Sequence, residues 1–225
     1  MSSLLDHLDI RRAGGSVLDG LKDPLLWLSI PVLALVTYFL AETGLDAAVN
    51  DLARHQNEAF SLSWSAFPML AGLIAPMLIP IAFALKGNRN LASATLGAFV
   101  LSLLVVSLLK GFSSRIHPEA IEPVTSLARS RVFRFGVLEA GFLSIVEGWP
   151  SGHTATNGAV CIVIARLCPG TILSTAALLW FVWVALATVF GINGDVHWLS
   201  DTVAGTVLAL IIGRRIASAL DVKTP

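Results

Sequence analysis

The chain has 225 residues, of which 55% are hydrophobic and 13% charged, and its net charge is zero. A soluble domain carries about 25% charged residues, so this composition excludes an ordinary water-facing surface. A mean hydropathy of +0.77 points to the bilayer as solvent. The balance of acidic and basic residues leaves no basic excess for a nucleic-acid partner.

Residues 1–23 form a charged leading segment with Arg11, Arg12 and Lys22, expected in the cytoplasm. The apolar run that follows is longer than the roughly 7–15 residues of a signal peptide, so it is read as a retained helix. A spanning helix needs about 20 mostly apolar residues. Six such runs are predicted, over 24–45, 62–85, 91–109, 151–167, 171–192 and 198–219. The fourth is interrupted by Asn157 and Arg166. The expected fold is all-α, a six-transmembrane-helix bundle forming one membrane domain over 1–225. Helices 1–3 fall within 24–110, helices 4–6 within 151–219, and 220–225 is a tail.

A long loop, 111–150, separates helices 3 and 4. Structureless loops beyond about 15 residues are uncommon and usually functional. Its second half mixes Phe133, Phe135, Leu138, Phe142 and Trp149 with few charges. That pattern predicts short interfacial helices with aromatic anchors, or a covering flap. Cys161 and Cys168 are seven positions apart on one helix. That is roughly 10 Å along the axis, beyond the ~7 Å a disulfide spans, so they are read as buried fillers.

Six spans put both termini on one side. Arg11, Arg12, Lys22, Lys86, Arg89, Arg166, Arg214, Arg215 and Lys223 then share that side, which the positive-inside rule assigns to the cytoplasm. The opposite side carries Arg54, Lys110, Arg115, Arg129, Arg131 and Arg134. The expected location is a bacterial cytoplasmic membrane, with chemistry on the outer face.

Three of the five histidines, His117, His153 and His197, lie at or just beyond helix ends on that outer face. Ionisable groups at membrane depth are costly and functional by default. His197 and Asp201 are four apart, so they share one helical face. A carboxylate there can accept the Nδ1 proton and leave Nε2 as a nucleophilic lone pair. Pro150-Ser151-Gly152-His153 reads as a helix start. Its free amides and positive dipole end suit a phosphate, and Gly152 admits close approach to the backbone. His153 is then positioned to protonate a leaving oxygen. Lys110 closes the third helix, with Arg115 and His117 close behind as further candidates to hold phosphate. Asp195, His197 and Asp201 could be read as a metal triad, but no second acidic cluster supports it.

Taken together, Lys110-x6-His117-Pro118, Pro150-Ser151-Gly152-His153 and His197-x3-Asp201 resemble the type 2 phosphatidic acid phosphatase superfamily. Its usual pattern is Lys-x6-Arg-Pro, Pro-Ser-Gly-His and Ser-Arg-x5-His-x3-Asp. The middle motif is intact, and the block from Val196 to Asp201 is typical of the family. Two positions depart: His117 stands for the first arginine, and Phe190-Gly191 for the Ser-Arg pair. In the family those arginines hold phosphate oxygens. Arg115, Arg129, Arg131, Arg134 and Asn193 are the candidate substitutes here. The resemblance implies metal-independent chemistry with no cofactor, a lipid phosphate as substrate, and membrane lipids as surroundings. Hydrolysis through a phosphohistidine is the leading reading, transfer to another lipid or alcohol the second. A non-enzymatic lipid-binding or transport protein is the third, disfavoured by the joint presence of His153, His197 and Asp201.

Overall fold

The computed structural model describes residues 8–115, 118, 128, 130–138, 148–194 and 196–221. Among them are eight α-helices: α1 (Ile10–Leu21), α2 (Pro24–Glu42), α3 (Leu45–Arg54), α4 (Glu58–Leu85), α5 (Arg89–Phe112), α6 (Gly152–Leu167), α7 (Ile172–Phe190) and α8 (Leu199–Asp221). Local chemistry explains where they start. Asp23, Asn57, Asn88, Ser151 and Thr171 stand immediately before α2, α4, α5, α6 and α7, each accepting from an otherwise unpartnered amide of the first turn.

Among the described residues, five helices are long and apolar enough to cross a membrane: α2, α4, α5, α7 and α8 through Leu220. Their outer faces present Leu28, Leu35, Phe39, Leu70, Leu73 and Leu179, all more than half exposed. A continuous apolar surface of this kind suits lipid. The fourth predicted span, α6, has 16 residues, short of the ~20 needed to cross alone. It sits among α5, α7 and α8, and Thr154, Asn157, Val160 and Val163 are all buried. An interior helix faces protein rather than lipid, which is why it tolerates polar residues.

Glycines let α6 and α8 close together. A Cβ at Gly205 would lie 2.7 Å from the Ser151 carbonyl oxygen, and one at Gly213 would lie 2.7 Å from Cβ of Ile162. From the other side, a Cβ at Gly158 would lie 2.6 Å from Cβ of Ala209. Small residues at such crossings let backbones approach.

Helix α4 carries Pro68, Pro76 and Pro80. Each removes an amide and frees the carbonyl four residues earlier. The carbonyl freed by Pro76, that of Gly72, accepts from Asn157 Nδ2 at 2.7 Å. The one freed by Pro68, that of Trp64, accepts from Trp183 Nε1 at 3.1 Å. Asn157 Oδ1 accepts from Trp180 Nε1 at 2.9 Å. The carbonyls freed by Pro76 and Pro68 therefore serve as acceptors that tie α4 to α6 and α7.

Three further features differ from the expectation. The leading segment contains the helix α1, whose Ala13, Ser16 and Gly20 are buried and which packs on α5 and α8. The first predicted span ends at Glu42, and α3 follows as a separate helix after Gly44 turns the chain at φ 79°. Within 111–150, Ser113–Arg115 (β1) and Phe133–Phe135 (β2) pair antiparallel, Ser113 opposite Phe135, where Phe133 and Phe135 had been expected in interfacial helices. Residues 139–147 of that predicted interfacial segment lie outside the described residues, as do His117 and Arg129.

Candidate active site

The C-terminus of α5, the N-terminus of α6 and the N-terminus of α8 meet at one end of the bundle. Lys110 is buried at 3% exposure in the last turn of α5. Its Nζ lies 3.9 Å from where a Cβ would stand on Gly152. Lys110 and Gly152 are thus neighbours, at ordinary van der Waals distance.

At the start of α6, Ser151 Oγ accepts from the Thr154 amide at 3.4 Å and shares a hydrogen bond with Thr154 Oγ1 at 3.0 Å. The Ser151 amide donates to the Asp201 carbonyl at 3.0 Å. This bond joins the Pro-Ser-Gly-His segment directly to the His-x3-Asp segment. Thr154 continues the connection through Thr188 and Thr202, with hydroxyl contacts at 3.3 and 2.9 Å.

His197 is 4% exposed and Asp201 1%. Nδ1 of His197 faces Asp201 Oδ2 at 3.4 Å, at the long end of hydrogen bonding. The same oxygen accepts the Trp198 amide at 3.3 Å. The His197 amide donates to the Thr188 carbonyl at 3.0 Å, which fixes the backbone from α7. With Nδ1–H given to Asp201, Nε2 is the nitrogen left with a lone pair. His153 is half-buried, and its Nε2 pairs with the Met69 carbonyl of α4 at 3.2 Å.

Arg115, expected as a phosphate ligand, is 3% exposed and fully engaged inside the protein. Nε donates to the Ser130 carbonyl. Nη1 donates to Ser200 Oγ at 2.7 Å and Asp201 Oδ1 at 2.5 Å. Nη2 donates to Asp46 Oδ2 and the Ser130 carbonyl, both at 2.6 Å. A guanidinium has five N–H donors, and in this arrangement all are committed. The rings of Phe133 and Trp198 lie against it at 4.7 and 5.4 Å. Arg131 pairs instead with Glu42 near the surface.

The corner corresponding to the missing Ser-Arg pair is closed by packing. A Cβ on Gly191 would lie 2.4 Å from Cβ of Ser65. Ser65 Oγ accepts the Ile192 amide at 3.1 Å and donates to the Ser61 carbonyl at 2.6 Å. Any side chain at 191 would require α4 to move.

Sequence reasoning did not find Asp46, which is fully buried. It accepts from the Ser200 amide at 2.9 Å and from Ser200 Oγ at 2.6 Å. Helix α3 reads as a polar surface helix, yet its buried face is Asp46, Ala47, Asn50 and Ala53. The available signal was an acidic residue one turn beyond a membrane span.

These features bring an anion-suited helix N-terminus beside an oriented histidine. The family model of the PAP2 superfamily matches residues 91–224. The chain belongs to that superfamily, which is in general one of phosphatases acting on phosphorylated substrates. It is accordingly a phosphatase-type enzyme and, with five helices able to span a bilayer, an integral membrane protein. Comparison with curated proteins and with solved structures found no match.

Proposed function

We propose that the protein removes phosphate from a lipid phosphate or pyrophosphate at the extracytoplasmic face, through a phosphohistidine on His197. The observation that carries this reading is the Ser151–Asp201 backbone bond. It holds the helix N-terminus suited to phosphate beside the His197–Asp201 pair.

The substrate phosphate lies against Lys110, the free amides of Gly152 and His153, and the Ser151 hydroxyl. Nε2 of His197 forms a bond to phosphorus as the P–O bond to the lipid breaks. The electron pair leaves with the lipid oxygen, which takes a proton from His153. Asp201 stabilises the positive charge that develops on the imidazole. In the second step His153 accepts a proton from water, whose oxygen attacks phosphorus and releases His197. With Arg115 engaged by carboxylates, the phosphate grip is assigned to Lys110 and the start of α6. His117 is a further candidate on sequence grounds.

Two features support a lipid substrate. The outer faces of α2, α4 and α7 are apolar. A cavity of about 230 Å³ is lined by Ala34, Thr37, Tyr38, Phe133, Phe135 and Trp149, with the polar Ser113 and Arg131. Phe133 is common to this cavity and to the Arg115 stack. Orientation is supported by basic residues at the opposite end of the bundle, where Arg12 bonds Asn90 and Arg215 pairs with Asp23. In this reading α6 serves as the sixth span, shielded from lipid by its neighbours.

The test is turnover of purified, folded His197→Ala protein on several lipid phosphates. Loss of activity and of an acid-labile phosphoenzyme is the expected result, and normal turnover would sink the mechanism. Measuring free phosphate with and without acceptor alcohols separates hydrolysis from transfer.

A further inference from the structure

We infer that Asp46, on the short helix α3, is a positioning residue for this chemistry, acting through Arg115 to hold Asp201 where it orients His197. The inference rests on the proposed role of His197 as nucleophile.

A carboxylate with no exposed surface is stable only when paired and hydrogen-bonded. Asp46 meets that condition with three bonds. Oδ1 accepts the Ser200 amide at 2.9 Å, and Oδ2 accepts Ser200 Oγ and Arg115 Nη2, each at 2.6 Å. The Ser200 amide belongs to the first turn of α8, where no intrahelical acceptor exists. Asp46 thus satisfies the start of the helix that carries Asp201, from an element far away in the chain.

Arg115 passes the constraint on. Its Nη1 binds Asp201 Oδ1 at 2.5 Å and Ser200 Oγ at 2.7 Å. One oxygen of Asp201 is thereby occupied, and the other is left to His197 Nδ1 and the Trp198 amide. Rotation of the Asp201 carboxylate would break bonds on both sides. The order of contact is Asp46, Arg115, Asp201, His197, all within the protein interior.

The charge balance points the same way. One guanidinium between two carboxylates leaves a net negative charge beside the imidazole. That charge favours the imidazole once phosphorus is bonded and the ring is positive. It acts on the chemical step rather than on substrate binding, because Asp46 lies behind Ser200 and Arg115. Removing it should therefore lower kcat and spare KM.

The experiment uses the full chain in lipid nanodiscs, assayed with phosphatidic acid and with a polyprenyl diphosphate. Asp46→Asn keeps the shape and the acceptor for the Ser200 amide but removes the charge. A fall in kcat of about 10- to 100-fold, with KM within about twofold, is expected from misplacement of a catalytic group. Asp46→Glu restores the charge and should recover part of the rate. Wild-type kcat in folded Asp46→Asn, or a change confined to KM, would overturn the inference. A merely structural role would reduce the yield of folded protein without altering kcat per folded molecule, and that result also overturns it. If Asp46→Asn does not fold, Ser200→Ala decides, since it removes the hydroxyl bridging Asp46 and Arg115. A loss of about 3- to 10-fold in kcat is expected there, and an unchanged kcat counts against the idea. Absence of turnover in the unaltered protein would instead strike at the proposed function.

Discussion

The amide of Ser151 and the carbonyl of Asp201 are hydrogen-bonded at 3.0 Å across two helices. The first turn of α6 has amides with no intrahelical acceptor, and one of them is satisfied by the backbone of the first turn of α8. The contact depends on Gly205, whose missing Cβ leaves room for the Ser151 carbonyl.

Gly205→Ala should therefore separate the two helix ends. A Cβ there would sit 2.7 Å from a backbone oxygen, which cannot move as a flexible side chain can. A destabilisation of about 1–3 kcal/mol is expected from such overpacking. Thermal unfolding in detergent should show the loss, and kcat should fall with it. A variant as stable and as active as the unaltered protein would contradict the packing argument.

Arg115→Gln should act on stability before it acts on substrate affinity. The variant leaves Asp46 and Asp201 buried and facing each other without the intervening cation. Breaking a buried ion pair in this way costs about 3–5 kcal/mol. Denaturant titration measures this directly. A raised KM at unchanged stability would mark Arg115 as a phosphate ligand after all.

Asn157→Leu tests the proline-freed acceptor on α4. The substitution removes the donors to the Gly72 and His153 carbonyls and the acceptor for Trp180 Nε1. Leaving buried polar groups unsatisfied costs about 1–3 kcal/mol, so the melting temperature should drop by several degrees. Restoring Pro76 to alanine in the same background would give the Gly72 carbonyl back its helical partner and should recover part of the loss.

Ala34→Trp fills the cavity beside Phe133 and Trp149. If the lipid chain lies there, KM for a long-chain lipid phosphate should rise by about tenfold, the scale on which apolar pockets discriminate. KM for a dihexanoyl analogue should barely change. Equal effects on both chain lengths would remove the cavity from the substrate path.

The spans and the motif residues were legible because their signals are local. Five of the six apolar runs correspond to α2, α4, α5, α7 and α8, with expected starts within four residues of the observed ones. His197 and Asp201 announce their contact through their spacing, although His197 stands before the first residue of α8 and not on its face. Helix α3 was hidden because its buried side is its polar and small side, the reverse of the pattern by which amphipathic helices are recognised. The β1–β2 pairing was equally hidden, since strands of three residues are too short to carry an alternation signal.

Arg115 marks the boundary between the two kinds of knowledge. Its place near Lys110 suggested a phosphate ligand, and nothing nearby in the chain argues otherwise. Its carboxylate partners lie 69 and 86 positions away. The chain carries its membrane class and the spacing of its motifs in short-range patterns, because helical geometry repeats within a few residues. Which buried charges neutralise one another depends on how α3, β1 and α8 converge, and that convergence gave Arg115 to Asp46 and Asp201.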